Sequence, residues 1–415
     1  SLYQNCVFCG ISNPTMEEDI VVVGGGVAGL ATALALHRVG LKSLVLERAD
    51  SLRTAGAAFI LWPNAWKALD SLGVAHALRP RYSLLDGIRG CSNCTGVSKE
   101  VQLKQGGSSA RQECRCIERM AVLEALAKEL PEGSVRFNSK IVHLYKNRVS
   151  PFTTLELADG TFLTAKIVIG CDGVYSVVAK WMGFPAAKSA GRVAIRGMAT
   201  YPYTHHFQKL MIQVWGRGVR TGFVTCTDKQ VYWFITRKSQ PQDAEICSDG
   251  ERVRGAALEL VRDLPEHITE AIKSSPADTI NLAELKVRWL WPWEWGRGKG
   301  RGSVTIAGDA LHPLTPDLGQ GACLALEDAV LLGKLLGEAM ETVNMVDWGE
   351  PEVGKIESCF NKYLNARRRR VSAVISAAFV TGIVQEGSSR LMRFVRDWIF
   401  FPVFSMSYLL YFSES

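Results

Sequence analysis

Residues 19–47 read DIVVVGGGVAGLATALALHRVGLKSLVLE. A β-branched run, Ile20–Val23, meets Gly24-Gly25-Gly26-Val27-Ala28-Gly29; an Ala/Leu-rich stretch follows to Val39, Gly40 closes it, and Ser43–Leu46 forms a second apolar run ending on Glu47. Strand, tight turn, helix and strand make a complete βαβ unit. Gly24, Gly26 and Gly29 have separate mechanical tasks: a tight turn, close approach of backbone to a pyrophosphate, and close packing of helix on strand. Val27 and Ala28 begin the helix, whose N-terminus supplies positive potential. Glu47 stands eighteen residues past Gly29, where a carboxylate accepts a ribose hydroxyl. The stretch predicts a dinucleotide site without deciding which dinucleotide.

The chain has 415 residues, 47% of them hydrophobic and 21% charged, which is more than one core organises. Its net charge of +7 favours anionic ligands, but basic and acidic residues interleave, so no nucleic-acid stripe forms. The run Arg367–Arg370 lies in a helix-like segment, Tyr363–Ala378, and reads as a solvated face. Eleven cysteines without disulfide-scaffold spacing point to a reducing compartment. Cys6/Cys9 and Cys91/Cys94 are too far apart, and too poor in companion ligands, for a zinc ribbon, so no metal is expected. No stretch reaches the roughly 20 apolar residues of a membrane span. Trp398–Phe412 is interrupted by Pro402 and two serines and reads as a packed tail, with peripheral membrane contact as the alternative. The first fifteen residues lack the pattern of a secretory signal, and the folded unit is expected to start near Met16.

Beyond the βαβ unit, Pro63–Leu78 and Arg119–Leu130 have helical periodicity, and Ser139–Tyr145, Thr153–Leu157 and Phe162–Ile169 read as strands. Arg192–Arg237 alternates β-rich runs with turns, as an antiparallel sheet does. A helix near Ser248–Leu264, a strand at Ser303–Ala307 and a long helix at Gly321–Met340 follow. The expected fold is α/β. A discontinuous Rossmann-like domain (16–80, 111–185, 286–350) carries an inserted, mainly antiparallel substrate domain (81–110, 186–285), and a helical region (351–415) ends the chain.

Two further motifs each follow a strand. One is Gly308-Asp309-Ala310-Leu311-His312-Pro313, continuing through Pro316 to Gly319-Gln320-Gly321-Ala322 and Glu327-Asp328-Ala329; the other is Gly170-Cys171-Asp172-Gly173-Val174-Tyr175-Ser176. At these residues, and from about Met16 to Arg370, the chain resembles the p-hydroxybenzoate hydroxylase-like single-component flavoprotein monooxygenases. The resemblance is greatest to the plant salicylate-hydroxylase-like subgroup, with zeaxanthin epoxidase more distant. It implies non-covalent FAD, with Asp309 at the ribityl and pyrophosphate region, Arg48, Arg53 and Arg119 reaching the cofactor, and Asp172 supporting both FAD and a nicotinamide cosubstrate. Gly319-Gln320-Gly321 opens a helix whose unpaired N–H groups, with Ala322, suit the flavin pyrimidine edge. Ala179, followed by Lys180, stands where the family has an arginine, a departure that concerns NAD(P)H handling. Gly296–Gly300 precedes a strand and reads as a basic turn, so no second dinucleotide domain is expected.

The resemblance also implies the reaction. NADPH or NADH reduces FAD, O2 adds at flavin C4a, and the resulting hydroperoxide delivers one oxygen atom to a small aromatic or conjugated substrate. The cofactor carries the hard chemistry while the protein positions the substrate and excludes water. On the inserted sheet, Arg196 and Tyr232 are the catalytic candidates, and Trp215, Arg220, Phe223 and Phe234 the substrate-binding ones; alternation admits only every second residue to the inner face. His205 and His206 are expected at an exposed turn, His312 in a shaping role at the flavin loop, and tryptophans 289, 291, 293 and 295 in packing. A flavin oxidase or dehydrogenase that needs no nicotinamide, and a non-enzymatic flavin-binding interaction protein, are the competing readings. The cytosol is the expected compartment, with a plastid as the alternative; composition does not set the oligomeric state.

Overall fold

The apolar runs of the quoted stretch pair as parallel strands: Met16–Val23 lies between Leu44–Leu46 and Phe162–Gly170, with Val22 beside Val45 and Ile169. The computed structural model describes residues 16–400 apart from 53–56, 95, 104–111, 147–149, 217, 292, 299–300 and 388. Arg53, Cys6, Cys9 and the tail beyond Phe400 therefore lie outside the described residues. The first sheet runs in the order Val135–Arg136, Leu44–Leu46, Met16–Val23, Phe162–Gly170, Thr153–Leu157, Ile141–Lys146. The far half of Phe162–Gly170 also pairs in parallel with Val304–Ile306. The strand centres are covered on both faces, so Val21, Val22, Ile167, Val168 and Ile169 are fully buried.

The helix Val27–Arg38, buried from Val27 to Leu36, packs on the helix Gly321–Met340, where Gly333 leaves room for the backbone of Ala35. Periodicity continues from Pro63 to Leu78, but Gly73 takes φ +80 and divides the segment into helices Pro63–Leu72 and Ala75–Leu78.

The second sheet has the order Asn281–Val287, Lys188–Thr200, Gln230–Lys238, Val219–Thr227, Leu210–Trp215, Gly87–Ser92, Ser98–Gln102. It is antiparallel except where Leu210–Trp215 runs beside Gly87–Ser92. Its outer face packs Ile195, Phe223, Trp233 and Ile235 under the helices Gly250–Val261 and Glu266–Lys273. The inner face turns Met198, Met211, Val224, Tyr232 and Phe234 into a core shared with the helices Val27–Arg38 and Pro63–Leu72. A 37-residue helix, Glu350–Glu386, crosses the structure, and Arg390–Phe394 follows it.

Several expectations are corrected here. Arg367 and Arg370 turn inward to Glu327 and Asp328, while Arg368 and Arg369 stay exposed. Four consecutive helical residues sweep the whole circumference, so they cannot all face water. His205 is buried: its Nε2 donates to the Thr227 carbonyl (2.8 Å) and its Nδ1 accepts from Phe207 N–H (3.2 Å), because the turn folds back on the neighbouring hairpin. His206 is exposed. Trp295 is core, but Trp291 and Trp293 are 54% and 66% exposed and stack on one another, since their segment is a surface turn. No single helix among the described residues is long and apolar enough to cross a membrane.

Candidate active site

Three glycines of the first turn do different work. Gly24 has φ +106, and a Cβ on it would come within 2.5 Å of the Cys171 carbonyl oxygen; one on Gly29 would overlap the carbonyl of Gly24. Those two positions are closed by packing. Gly26, at the helix N-cap with φ −80, has nothing within 4 Å of a built Cβ and, with Val27 and Ala28, lines a cavity shared with residues of the second sheet. Glu47 closes the turn from behind: Oε2 accepts from Gly25 N–H (2.6 Å) and Oε1 from Ala49 N–H (2.8 Å).

Beside the glycine turn, where a Cβ on Gly308 would come within 2.7 Å of the Ala28 methyl, the strand Val304–Ile306 delivers Gly308 and Asp309, and the Asp309 carboxylate is exposed to the cavity. Fully buried groups hold this loop. Gly308 N–H donates to Asp328 Oδ2 (2.9 Å), which also meets His312 Nε2 (2.5 Å), and Arg367 Nε stands 2.6 Å from Asp328 Oδ1. Burial alone raises the Asp328 pKa, but His312 and Arg367 outweigh it and hold the carboxylate below its ordinary value. His312 thus shapes the loop through Asp328. Arg288 donates to the carbonyls of Pro185 (2.7 Å), Ala310 and Leu311 (3.2 Å); burial lowers its pKa to about 10 against the attraction of Asp172 and Asp309.

The helix Gly321–Met340 points its N-terminus into the same space. Gly319, Gly321 and Ala322 line the cavity, and Gly321 has open space where a Cβ would stand. The Gln320 side chain turns away, accepting from Asn64 Nδ2 (3.0 Å), and Asn64 also reaches Glu327 (2.5 Å). Burial raises the Glu327 pKa, but Arg370 and Arg367 reverse the sign and hold it low. Carboxylates depressed in this way add stability above their unfolded values, near 4, and lose it as pH falls through the folded ones. The melting temperature is therefore expected to drop on acidification below about pH 4, with a shallower acid limb in Glu327→Gln, as thermal melts across pH would record.

Arg119, Arg196, Tyr232, Phe234, Met211 and Phe59 complete the cavity walls. Burial lowers the Arg119 pKa, with Asp309 opposing; burial raises that of Tyr232, which stays a phenol. Arg220 lines the cavity too, but it is fully buried and paired: a terminal nitrogen donates to Asp317 Oδ1 (2.8 Å), Nε donates to Gln213 (3.0 Å), and its plane lies 4.9 Å from the Phe234 ring. Phe223 sits under the helices on the outer face, because alternation sends it opposite to Gly222 and Val224. Trp215 shares a face with Met211 but lies beyond the rim, under the Arg396 guanidinium at 5.8 Å. Arg48 is exposed and does not line the cavity. Asp172 accepts from Val177 N–H (2.7 Å) at the start of a short helix, and Cys171 and Gly173 are the members of that motif that line the cavity.

Sequence reasoning missed Arg288, Asn64, Thr315 and Asp317. Asp317 carried a signal, a carboxylate inside the otherwise apolar Pro316–Leu318 turn. Thr315 bears directly on cofactor fit: it lines the cavity, and its buried Oγ1 has no hydrogen-bond partner among the described residues. Open glycine surfaces at both helix N-termini, cationic walls and this hydroxyl fit an extended anionic dinucleotide.

Comparison with known proteins bears on the family and its cofactor. Residues 17–344 match the FAD binding domain family. Monooxygenase 2 of Arabidopsis thaliana is 40% identical over 395 residues, 92% of this chain and 94% of that protein. Monooxygenase 1 of the same plant is 36% identical over 379 residues, covering 91% and 94%. The crystal structure of Klebsiella pneumoniae HpxO complexed with FAD and uric acid superposes with a TM-score of 0.74 at 21% identity, covering 95% of this chain and 93% of that one. The chain is an FAD protein of the FAD binding domain family, among the p-hydroxybenzoate hydroxylase-like flavin monooxygenases.

Proposed function

We propose that the protein uses electrons from NADH or NADPH to insert one atom of O2 into a small aromatic or conjugated substrate. The observation that carries this reading is the cavity itself: apolar and aromatic Met211, Tyr232 and Phe234, the helix-start residues Gly319, Gly321 and Ala322, and Arg119 and Arg196 all line the same space. FAD, when bound, supplies the oxygen-activating chemistry. The chain's own residues do the rest. Backbone at Gly26–Ala28 would cradle the pyrophosphate, Asp309 would accept hydrogen bonds from the ribityl hydroxyls, and Glu47, whose oxygens already accept from Gly25 and Ala49 N–H, would offer its remaining lone pairs to the ribose. Amides opening Gly321–Met340 would favour negative charge on the flavin when it is bound. The Tyr232 phenol donates a hydrogen bond to substrate, Arg196 orients a carboxylate or phenolate, and Phe234 with Met211 keeps water out.

Arg196→Ala is expected to retain FAD while kcat/KM falls about tenfold, the loss of one charge-assisted contact; unchanged kinetics would remove Arg196 from the site. The decisive experiment is oxygen and NADPH consumption by the yellow protein with phenols, aromatic acids, indoles and polyenes. Substrate-stimulated consumption with an oxygenated product supports monooxygenation. Flavin reduction by substrate alone under anaerobic conditions would replace it with an oxidase or dehydrogenase, and no stimulation by any class would favour a flavin-binding interaction protein. Nine free cysteines among the described residues fit a reducing setting, the cytosol or a plastid.

A further inference from the structure

A second ionic cluster lies behind the cavity, and one member comes from outside the residues that match the family. Arg192, on the strand Lys188–Thr200, is buried and holds two carboxylates with one guanidinium. Its Nε donates to Glu386 (2.8 Å) and a terminal nitrogen bonds the other Glu386 oxygen; its two terminal nitrogens also donate to Asp317 (2.8 and 2.9 Å). Asp317 in turn accepts from Arg220 on the cavity wall. Glu386 is the last residue of the helix Glu350–Glu386, where a negative charge opposes the helix dipole and needs a cation beside it. Gly382, one turn earlier, is a second sign that this crossing is built. A side chain there would collide with Arg192 and Asp317, and a glycine inside a helix costs about 1 kcal/mol relative to alanine.

We propose that Glu386 is a positioning residue for the FAD cavity. Through Arg192 it fixes Asp317. Through Asp317 it fixes both Arg220 and the Pro316–Leu318 turn, which leads directly into the Gly319-Gln320-Gly321 helix start. Two arginines balance two carboxylates in this cluster. Removing the Glu386 charge leaves Asp317 shared between two buried cations, and the turn it anchors shifts against the flavin.

The inference rests on FAD occupying this cavity and not on the reaction that follows, so the test reads the flavin. FAD is titrated into apo-protein while the visible spectrum of the bound flavin and the thermal melt are recorded. Glu386→Gln is expected to bind FAD about tenfold more weakly, with a displaced flavin band. Arg192→Lys keeps the charge but lacks the fork that holds two carboxylates, and should do the same. Asp243→Asn is the control: it breaks the buried Arg237–Asp243 pair elsewhere on the same sheet, and should lower the melt while leaving both flavin readouts at wild-type values. If Glu386→Gln behaves as the control does, the role is structural and the inference is overturned. If Glu386→Gln does not fold, Arg192→Lys decides alone, and a wild-type titration for it overturns the inference. Failure of the wild-type protein to bind FAD would instead sink the site assignment.

Discussion

Gly26→Val should yield a folded, colourless protein. The backbone at Gly26 has φ −80, which a β-branched residue adopts, and open space surrounds the built Cβ, so the fold has no objection to the side chain. The space it enters is where backbone must approach a pyrophosphate. Excluding that approach is expected to weaken FAD binding about a thousandfold, or about 4 kcal/mol, while the apo-protein loses only about 1 kcal/mol for an apolar residue at the helix N-cap. Gly29→Val should fail for the opposite reason. Its side chain overlaps the Gly24 carbonyl, so helix and strand must separate, and a loss of more than about 4 kcal/mol is expected whether or not FAD is present. Asp309→Ala should resemble Gly26→Val, because its carboxylate is exposed to the cavity and supports no packing. Calorimetric FAD titration together with circular-dichroism melts of the apo-proteins separates the classes. A Gly26→Val protein that purifies yellow at full stoichiometry would overturn the cradle assignment.

The second large effect concerns Asp328. Its removal strands His312 and part of Arg367 in the core and leaves Gly308 N–H without its acceptor. Breaking a buried ion pair from one side costs about 3–5 kcal/mol, so Asp328→Ala is expected to lower the urea midpoint substantially and to loosen FAD through the displaced Asp309 loop. Replacing both Asp328 and Arg367 by apolar residues of similar volume should recover only the part of the stability lost to the unpaired Arg367, because His312 and Gly308 N–H still lack their partner. It should not recover FAD affinity, since Gly308 still lacks its acceptor. If the double replacement restored both, the cluster would matter for folding alone.

Much of this site was legible in the residues because its motifs are local. An apolar run, a glycine turn and a second apolar run form strand, turn and helix wherever they occur, and the Asp309 and Gly319–Ala322 motifs sit at strand and helix ends for the same reason. The antiparallel texture of Arg192–Arg237 likewise announced a second sheet, and the register then confirmed the pairing of Arg192–Thr200 with Gln230–Lys238.

Which way a side chain faces was another matter. Periodicity showed that Tyr232 and Phe234 share a face and that Phe223 points opposite to Val224; it did not show which face lines the cavity. Helices covering one side of the sheet decided that. Arg220 looked free to hold substrate until Asp317, 97 residues later, was seen to occupy it. Gln320 turned from cavity to Asn64, Arg367 from solvent to Asp328, and His205 from water to a carbonyl across a hairpin. Spacing along the chain sets the element, because backbone sterics and hydrogen bonding act between near neighbours. The inward face, and the partner each buried charge requires, are set by whatever the rest of the chain brings alongside it.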